Sequence, residues 1–344
     1  RNKISKWSPR IALMHDLTPS TTVYASYGES FYPNELNLLD MSGSYITKPQ
    51  EGKQYEIGFK QDLFDSRAIA EQLKSELGQS VIVENKPGAG TQIALQAVKR
   101  SPPDGNTILI SPAPPFVLFP LTYDRLQYDA DKDLVPVAHL ADTPLVASTS
   151  SNSPYSTMHE YLAWVRKNPD SVGVGMVSLG GALHFGLLKL NQHSGLNLMP
   201  IAYKGAPAML TDEIGGVLPI GMDTVAATSE LARAGKIKYL GVTGTERSAL
   251  LPDVPTLGES GAPGFEQSSG WYAAFVSAGT PKAVTDKLER ALIKIVKDPA
   301  FSARVAQVGL VSTGKPGAEL AAMIQAQRQA WQPVVKASGF KALQ

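Results

Sequence analysis

The hydrophobic period of this chain changes once, near Arg67, and a single repeating layer of structure cannot hold both patterns. Upstream, apolar residues recur at every second position. Ile11 and Leu13 begin the series, Val23, Ala25 and Tyr27 continue it beyond the turn-forming Thr18-Pro19-Ser20, and Tyr55, Ile57 and Phe59 repeat it. Thr22, Tyr24, Ser26, Glu56, Gly58 and Lys60 fill the other register, as in strands with one apolar and one wet side. Downstream, Ala68, Ile69, Leu73 and Leu77 form a helical stripe closed by Gly78, and Val81-Ile82-Val83 reads as a short strand buried on both faces. A turn at residues 84–90, a helix through Ala94, Ala97 and Val98, and a strand over residues 107–110 complete a βαβ pattern. From this point the chain predicts α/β construction with a parallel sheet, preceded by a β-rich segment.

Composition narrows the function. The 344 residues exceed one comfortable core, and a 43% hydrophobic content supports two. With 32 Lys and Arg against 31 Asp and Glu there is no global field to recruit nucleic acid or an anionic membrane, so any anion selectivity is local. No cysteine is present, which removes thiolate chemistry and suits an oxidising compartment. His15, His139, His159, His184 and His193 show no metal-ligand spacing, so neither a metal nor another cofactor is expected. No run of about 18 apolar residues suggests a membrane helix, and Arg1 to Ser5 do not lead into a signal-peptide core. Ser178 lacks a Gly-x-Ser-x-Gly elbow, and Gly173-Val174-Gly175 lacks the third glycine of a dinucleotide loop. The expectation is a binding protein, not an enzyme.

The strongest site signal is Ser178-Leu179-Gly180-Gly181-Ala182-Leu183-His184. A strand delivers the chain to a glycine turn, and the helix that follows turns free backbone N–H groups toward that turn. A carboxylate is held there without a basic side chain, with the Ser178 hydroxyl as a further donor. His184 either closes this site or packs on its own helix. Asp223 ends the strand over residues 216–223 and either accepts from an amine or hydroxyl of the ligand or caps the helix beginning at Thr224. Ser111 follows the strand over residues 107–110 at the edge where α/β sheets bind ligands. Trp271-Tyr272 lines the cleft or fills the core.

Two resemblances attach to these patterns. Trp7-Ser8-Pro9-Arg10-Ile11, Tyr24-Ala25-Ser26-Tyr27-Gly28 before Phe31 and Pro33-Asn34, and Tyr55-Glu56-Ile57-Gly58-Phe59-Lys60 with Leu63-Phe64-Asp65 resemble the barrel region of TonB-dependent siderophore receptors. Residues 1–65 supply about three strands of such a barrel, too few to close one. Leu77-Gly78-Gln79, the run from Val83 to Gly90, Pro103-Asp104-Gly105-Asn106-Thr107 and Ala278-Gly279-Thr280-Pro281 resemble the Bug-type receptors of tripartite tricarboxylate transporters, from about Arg67 to Gln344.

The second resemblance implies a type II periplasmic binding protein. Residues 66–143 and 242–344 form lobe one, residues 144–241 form lobe two, and the ligand lies between them. It also implies a monomer in the periplasm that captures a small di- or tricarboxylate and partners the membrane subunits of the carrier. Tyr203-Lys204-Gly205 matches the family turn that faces the cleft, with the Tyr203 hydroxyl and the Gly205 N–H as donors; Lys204 reads equally as a solvated charge. One departure stands out. The family's first strand and glycine-rich loop are replaced here by Lys60-Gln61-Asp62-Leu63-Phe64-Asp65, which points to a junction of unrelated coding regions and to severely weakened binding. The rival functions are a TonB-dependent receptor and an anion-processing enzyme on the same fold.

Overall fold

The computed structural model describes residues 10–18, 21–32, 50–61, 66–86, 88–170 and 172–342. Of the sequence motifs, Trp7-Ser8-Pro9, Pro19-Ser20, Pro33-Asn34, Leu63-Phe64-Asp65 and Pro87 lie outside these residues. The chain divides into two compact units, Arg1–Arg67 and Ala68–Gln344.

The first unit is an antiparallel sheet of β1 (Arg10–Thr18), β2 (Thr21–Tyr32) and β3 (Gln50–Gln61), in sequence order. The alternating residues of the sequence fall into shared cross-strand rows, with Ile11 opposite Tyr27 opposite Tyr55, and Leu13 opposite Ala25 opposite Ile57. A two-residue period survives pairing only if register keeps equivalent positions abreast, as it does here.

The second unit opens with α1 (Ser66–Leu77), whose Ala68, Ile69, Ala70 and Leu73 are buried. Gly78 ends it at φ +68, its N–H bonded to the Lys74 carbonyl. The strand expected at Val81-Ile82-Val83 does not form: residues 79–86 carry no regular structure, and Ile82 is 89% exposed. The physical reason lies in the sheet. α2 (Gln92–Lys99) leads to β4 (Ile108–Pro112), the short helices α3 (Pro114–Val117) and α4 (Phe119–Thr122), and β5 (Leu134–Thr143). β4 and β5 both run antiparallel to β11 (Gly270–Ser277), which lies between them, and β12 (Val311–Pro316) closes the order β12-β5-β11-β4. Among the described residues β4 therefore pairs with β11 alone. Among the described residues no strand pairs with residues 79–86, so that segment has no ladder to join and its backbone is left to water.

β6 (Leu145–Ser150) follows β5 after one residue but belongs to the other sheet, so the chain crosses between sheets at Pro144. Then come α5 (Met158–Lys167), β7 (Gly173–Met176), α6 (Ala182–Ser194), β8 (Met199–Ala202), α7 (Ala206–Ile214), β9 (Ile220–Thr224), α8 (Val225–Arg233) and β10 (Ile237–Val242). Their sheet has the order β10-β6-β9-β7-β8, with β7 parallel to both β8 and β9. After β11, α9 (Lys282–Val296), α10 (Pro299–Gln307) and α11 (Gly317–Ser338) complete the unit.

Each sheet has its own core. Phe116 stacks on Phe275 at 3.8 Å in the first, beside Trp271 and Trp331. Tyr161, Val174, Met176 and Phe265 fill the second. Gly173 and Gly175 on β7 serve packing: a Cβ on Gly175 would lie 2.4 Å from Leu218.

Candidate ligand cleft

Three strand-to-helix turns converge on one cavity of about 220 Å3. The turn after β4 contributes Ala113, Pro114, Val117 and Leu118, while the turn from β7 into α6 contributes Val177, Ser178, Gly181 and Leu183. The end of β9 contributes Asp223 and Thr224. Residues 267–270 and two α11 side chains, Gln327 and Trp331, complete the wall, so both sheets take part. Among these lining residues Asp223 is the only ionisable one, and no Lys or Arg is present.

Parallel strands put their C-terminal ends on one edge, so Ser178 after β7, Tyr203 after β8 and Asp223 at the end of β9 share that edge. Gly181 is the N-cap of α6 and no side chain caps the helix, which leaves its first N–H groups available to a ligand. Ser178 stands beside them: a Cβ on Gly181 would lie 3.3 Å from its hydroxyl oxygen. Gly180 is left-handed at φ +79, and the Phe340 ring occupies the space where its Cβ would project, 2.3 Å away. A side chain here would meet both backbone strain and a ring.

His184 is buried and does not line the cleft. Its Nδ1 accepts from the Gly180 N–H at 3.0 Å, and its ring lies 5.7 Å from that of Phe340. Burial lowers its pKa, so the neutral ring holds the glycine turn while Nε2 carries the hydrogen. Tyr203 is turned aside, its hydroxyl donating to Asp212 at 2.9 Å. Lys204 is exposed, and Gly205 is the N-cap of α7 at φ +131; none of the three lines the cavity. Ser111 is fully buried on β4, its hydroxyl donating to the Pro112 carbonyl at 3.2 Å, and it too lies outside the lining.

Asp223 is 6% exposed. Its Oδ1 accepts from the Thr224 N–H at 2.7 Å, while Oδ2 has no hydrogen-bond partner among the described residues. The N-cap of α8 is Thr224, whose hydroxyl accepts from Ala227, so Asp223 is not consumed in capping. Burial pushes its carboxyl up, opposed by the Thr224 N–H. Trp271 fills the core and donates its indole N–H to Gln327 Oε1 at 2.9 Å, which fixes a cleft side chain from behind.

Sequence reasoning missed Gln327, Trp331 and the apolar wall after β4. The short polar run Gln267-Ser268-Ser269-Gly270 before a strand was the signal available; nothing local marked Gln327, one polar residue on an amphipathic helix. Among the described residues no group of three or more His, Asp or Glu is placed to hold a metal, and no helix is long and apolar enough to cross a membrane.

The family described as tripartite tricarboxylate transporter family receptor matches residues 66–340. A second, described as TonB dependent receptor-like, beta-barrel, matches residues 1–70. The periplasmic binding protein BugD is similar at 32% identity and a TM-score of 0.64, with 81% of this chain and 94% of that chain covered. A protein of R. palustris solved with adipate is similar at 26% identity and a TM-score of 0.68, with 81% and 93% covered. For the N-terminal segment, the metal-pseudopaline receptor CntO of Pseudomonas aeruginosa is 40% identical over 60 residues, which are 17% of this chain and 8% of that receptor.

Proposed function

We propose, for a chain that belongs to the tripartite tricarboxylate transporter receptor family, that residues 66–340 capture a small organic carboxylate in the periplasm and present it to the membrane subunits of a tripartite carrier. Residues 66–143 and 242–344 act as one lobe and residues 144–241 as the other. Binding, not turnover, is the proposed activity.

The observation that carries this reading is an uncapped helix start in a cleft without a cation. The first N–H groups of α6, with the Ser178 hydroxyl, offer donors to a carboxylate, and the partial positive charge of the helix end favours an anion there. Gly180 and His184 hold that turn in shape, Gly181 admits the close approach, and Asp223 takes a donor group or a bridging water. Tyr203, Lys204 and Gly205 stand at the neighbouring turn of the same edge, and Ser111 stands beneath the opposite wall. The similarity to the R. palustris protein solved with adipate supports a carboxylate as the ligand class.

Calorimetric titration with a panel of dicarboxylates tests the reading. Saturable binding of at least one acid, weakened about tenfold or more by Ser178→Ala, is expected, because one donor to a charged oxygen is removed. Binding that ignores Ser178→Ala would remove the Ser178 hydroxyl from the site, and failure of every acid to bind would overturn the reading. Residues 1–65 take no part in this proposal, since the three strands described there leave two open edges.

A further inference from the structure

Behind the cleft lies an acid that the binding reading does not use. Glu213, on α7, is fully buried, and neither of its carboxylate oxygens has a hydrogen-bond partner among the described residues. It fits because β9 carries Gly221 beneath it: a Cβ at that position would lie 2.2 Å from Glu213 Oε2. Any other residue at Gly221 would displace the carboxyl group, so the pair is matched. Gly221 and Asp223 are two apart on one strand, hence on one face and roughly 7 Å apart along it. Asp223 in turn lines the cavity.

Among the described residues the surroundings of Glu213 offer no cation. Ser148 of β6 stands opposite Gly221 with its hydroxyl unbonded among the described residues. Tyr155, from the connection after β6, spends its hydroxyl on the Pro219 carbonyl at 2.8 Å, and Tyr239 of β10 shares its own with Thr228 at 3.0 Å. On α7 itself, Asp212 accepts from Tyr203. The nearest charge acting on Glu213 is that of Asp223, which is of like sign.

We propose that Glu213 is the proton carrier of this receptor: a carboxylate settling at the start of α6 draws a proton onto the buried side chain, so that binding takes up a proton and weakens as the solution becomes alkaline. The inference rests on the carboxylate reading above. Burial pushes the Glu213 carboxyl up to about 7, opposed by the nearby Ser148 hydroxyl and reinforced by the Asp223 charge, so the free receptor is partly ionised near neutral pH. A ligand anion in the cleft adds a further like charge, and at an assumed separation of about 10 Å and an effective dielectric near 20 the repulsion is worth on the order of tenfold in affinity. By linkage, the ligand tightens the proton by the same factor.

The test uses the full chain and two acids, adipate and succinate, whose own carboxyls are ionised above pH 6. Each is titrated calorimetrically at pH 6 and pH 8.5, and at pH 7.5 in two buffers of different ionisation enthalpy, for the parent chain and for Glu213→Gln and Glu213→Leu. Affinity about tenfold weaker at the higher pH, heats that differ between buffers in the sense of proton uptake, and a pH response below about twofold in both variants are expected. Equal buffer heats in the parent chain, or a slope that survives in the variants, overturns the inference while leaving the carboxylate reading intact. Absence of binding by either acid at every pH overturns both. Should Glu213→Gln not fold, Glu213→Leu and the parent buffer heats decide alone.

Discussion

The two sheets of the second unit are built from similar lengths of chain and end differently. The five-stranded sheet places β9 and β7 inside, each paired on both sides, and Val174, Met176, Ile220 and Met222 are buried. The four-stranded sheet stops at β4, while residues 79–86 have no strand partner among the described residues and Ile82 is 89% exposed. Apolar, β-branched sequence is present in both. What separates them is whether a neighbouring strand exists to satisfy the backbone, which teaches that a parallel strand is a property of its sheet before it is a property of its residues.

Substitution of matched isoleucines breaks or confirms that contrast most directly. Ile220→Ala is expected to cost about 2–5 kcal/mol by chemical denaturation, because it leaves a cavity in a packed sheet, whereas Ile82→Ala should cost less than about 0.5 kcal/mol. Comparable losses at the two sites would mean that the Val81 segment is packed after all.

The next effect concerns pH and belongs to the complete sheet alone. The folded-state pKa of Glu213, about 7, lies above the ordinary value of 4.5. Between those values the folded chain keeps a proton that the unfolded chain has released, so this group's contribution to stability is fully present below pH 4.5 and is lost as pH rises through 7. The loss from this group amounts to roughly 3 kcal/mol. Denaturation curves at pH 5 and 7.5 should show this decline, and Glu213→Gln should flatten it; an unchanged slope would place the titrating group elsewhere.

A smaller effect sharpens the role of the α6 turn. Gly180→Ala forces a side chain into a left-handed backbone and against Phe340, which should cost about 2 kcal/mol. Ligand affinity should fall alongside the melting temperature, since the turn also presents the helix start. A variant that melts lower yet binds unchanged would detach the turn from the ligand.

Much of the site was legible beforehand because glycine and helix-start chemistry are local. Ser178, Gly181 and Asp223 line the cavity in the structure, as their positions at strand ends suggest. For His184 the two readings merge: the ring packs among aromatics and, by accepting from Gly180, shapes the turn without reaching the cavity. Tyr203, Lys204, Gly205 and Ser111 share the right edges and still stand off the cavity, since edge membership does not fix where a side chain turns. Gln327 and Trp331 arrive from a helix more than a hundred residues away and had no local signal at all.

By itself the sequence determined the change of architecture near Arg67, the alternating N-terminal strands, the helices through residues 68–77 and 94–98, and a donor-rich turn at Ser178 to His184, because period, capping and glycine conformation act over a few residues. Only the tertiary structure decided that Val81 to Val83 would remain unpaired, that β11 would part β4 from β5, and that Gly221 would make room for a buried Glu213. Those outcomes depend on which strand lies beside which. Strand adjacency is a contact between distant parts of the chain, and no local pattern encodes it.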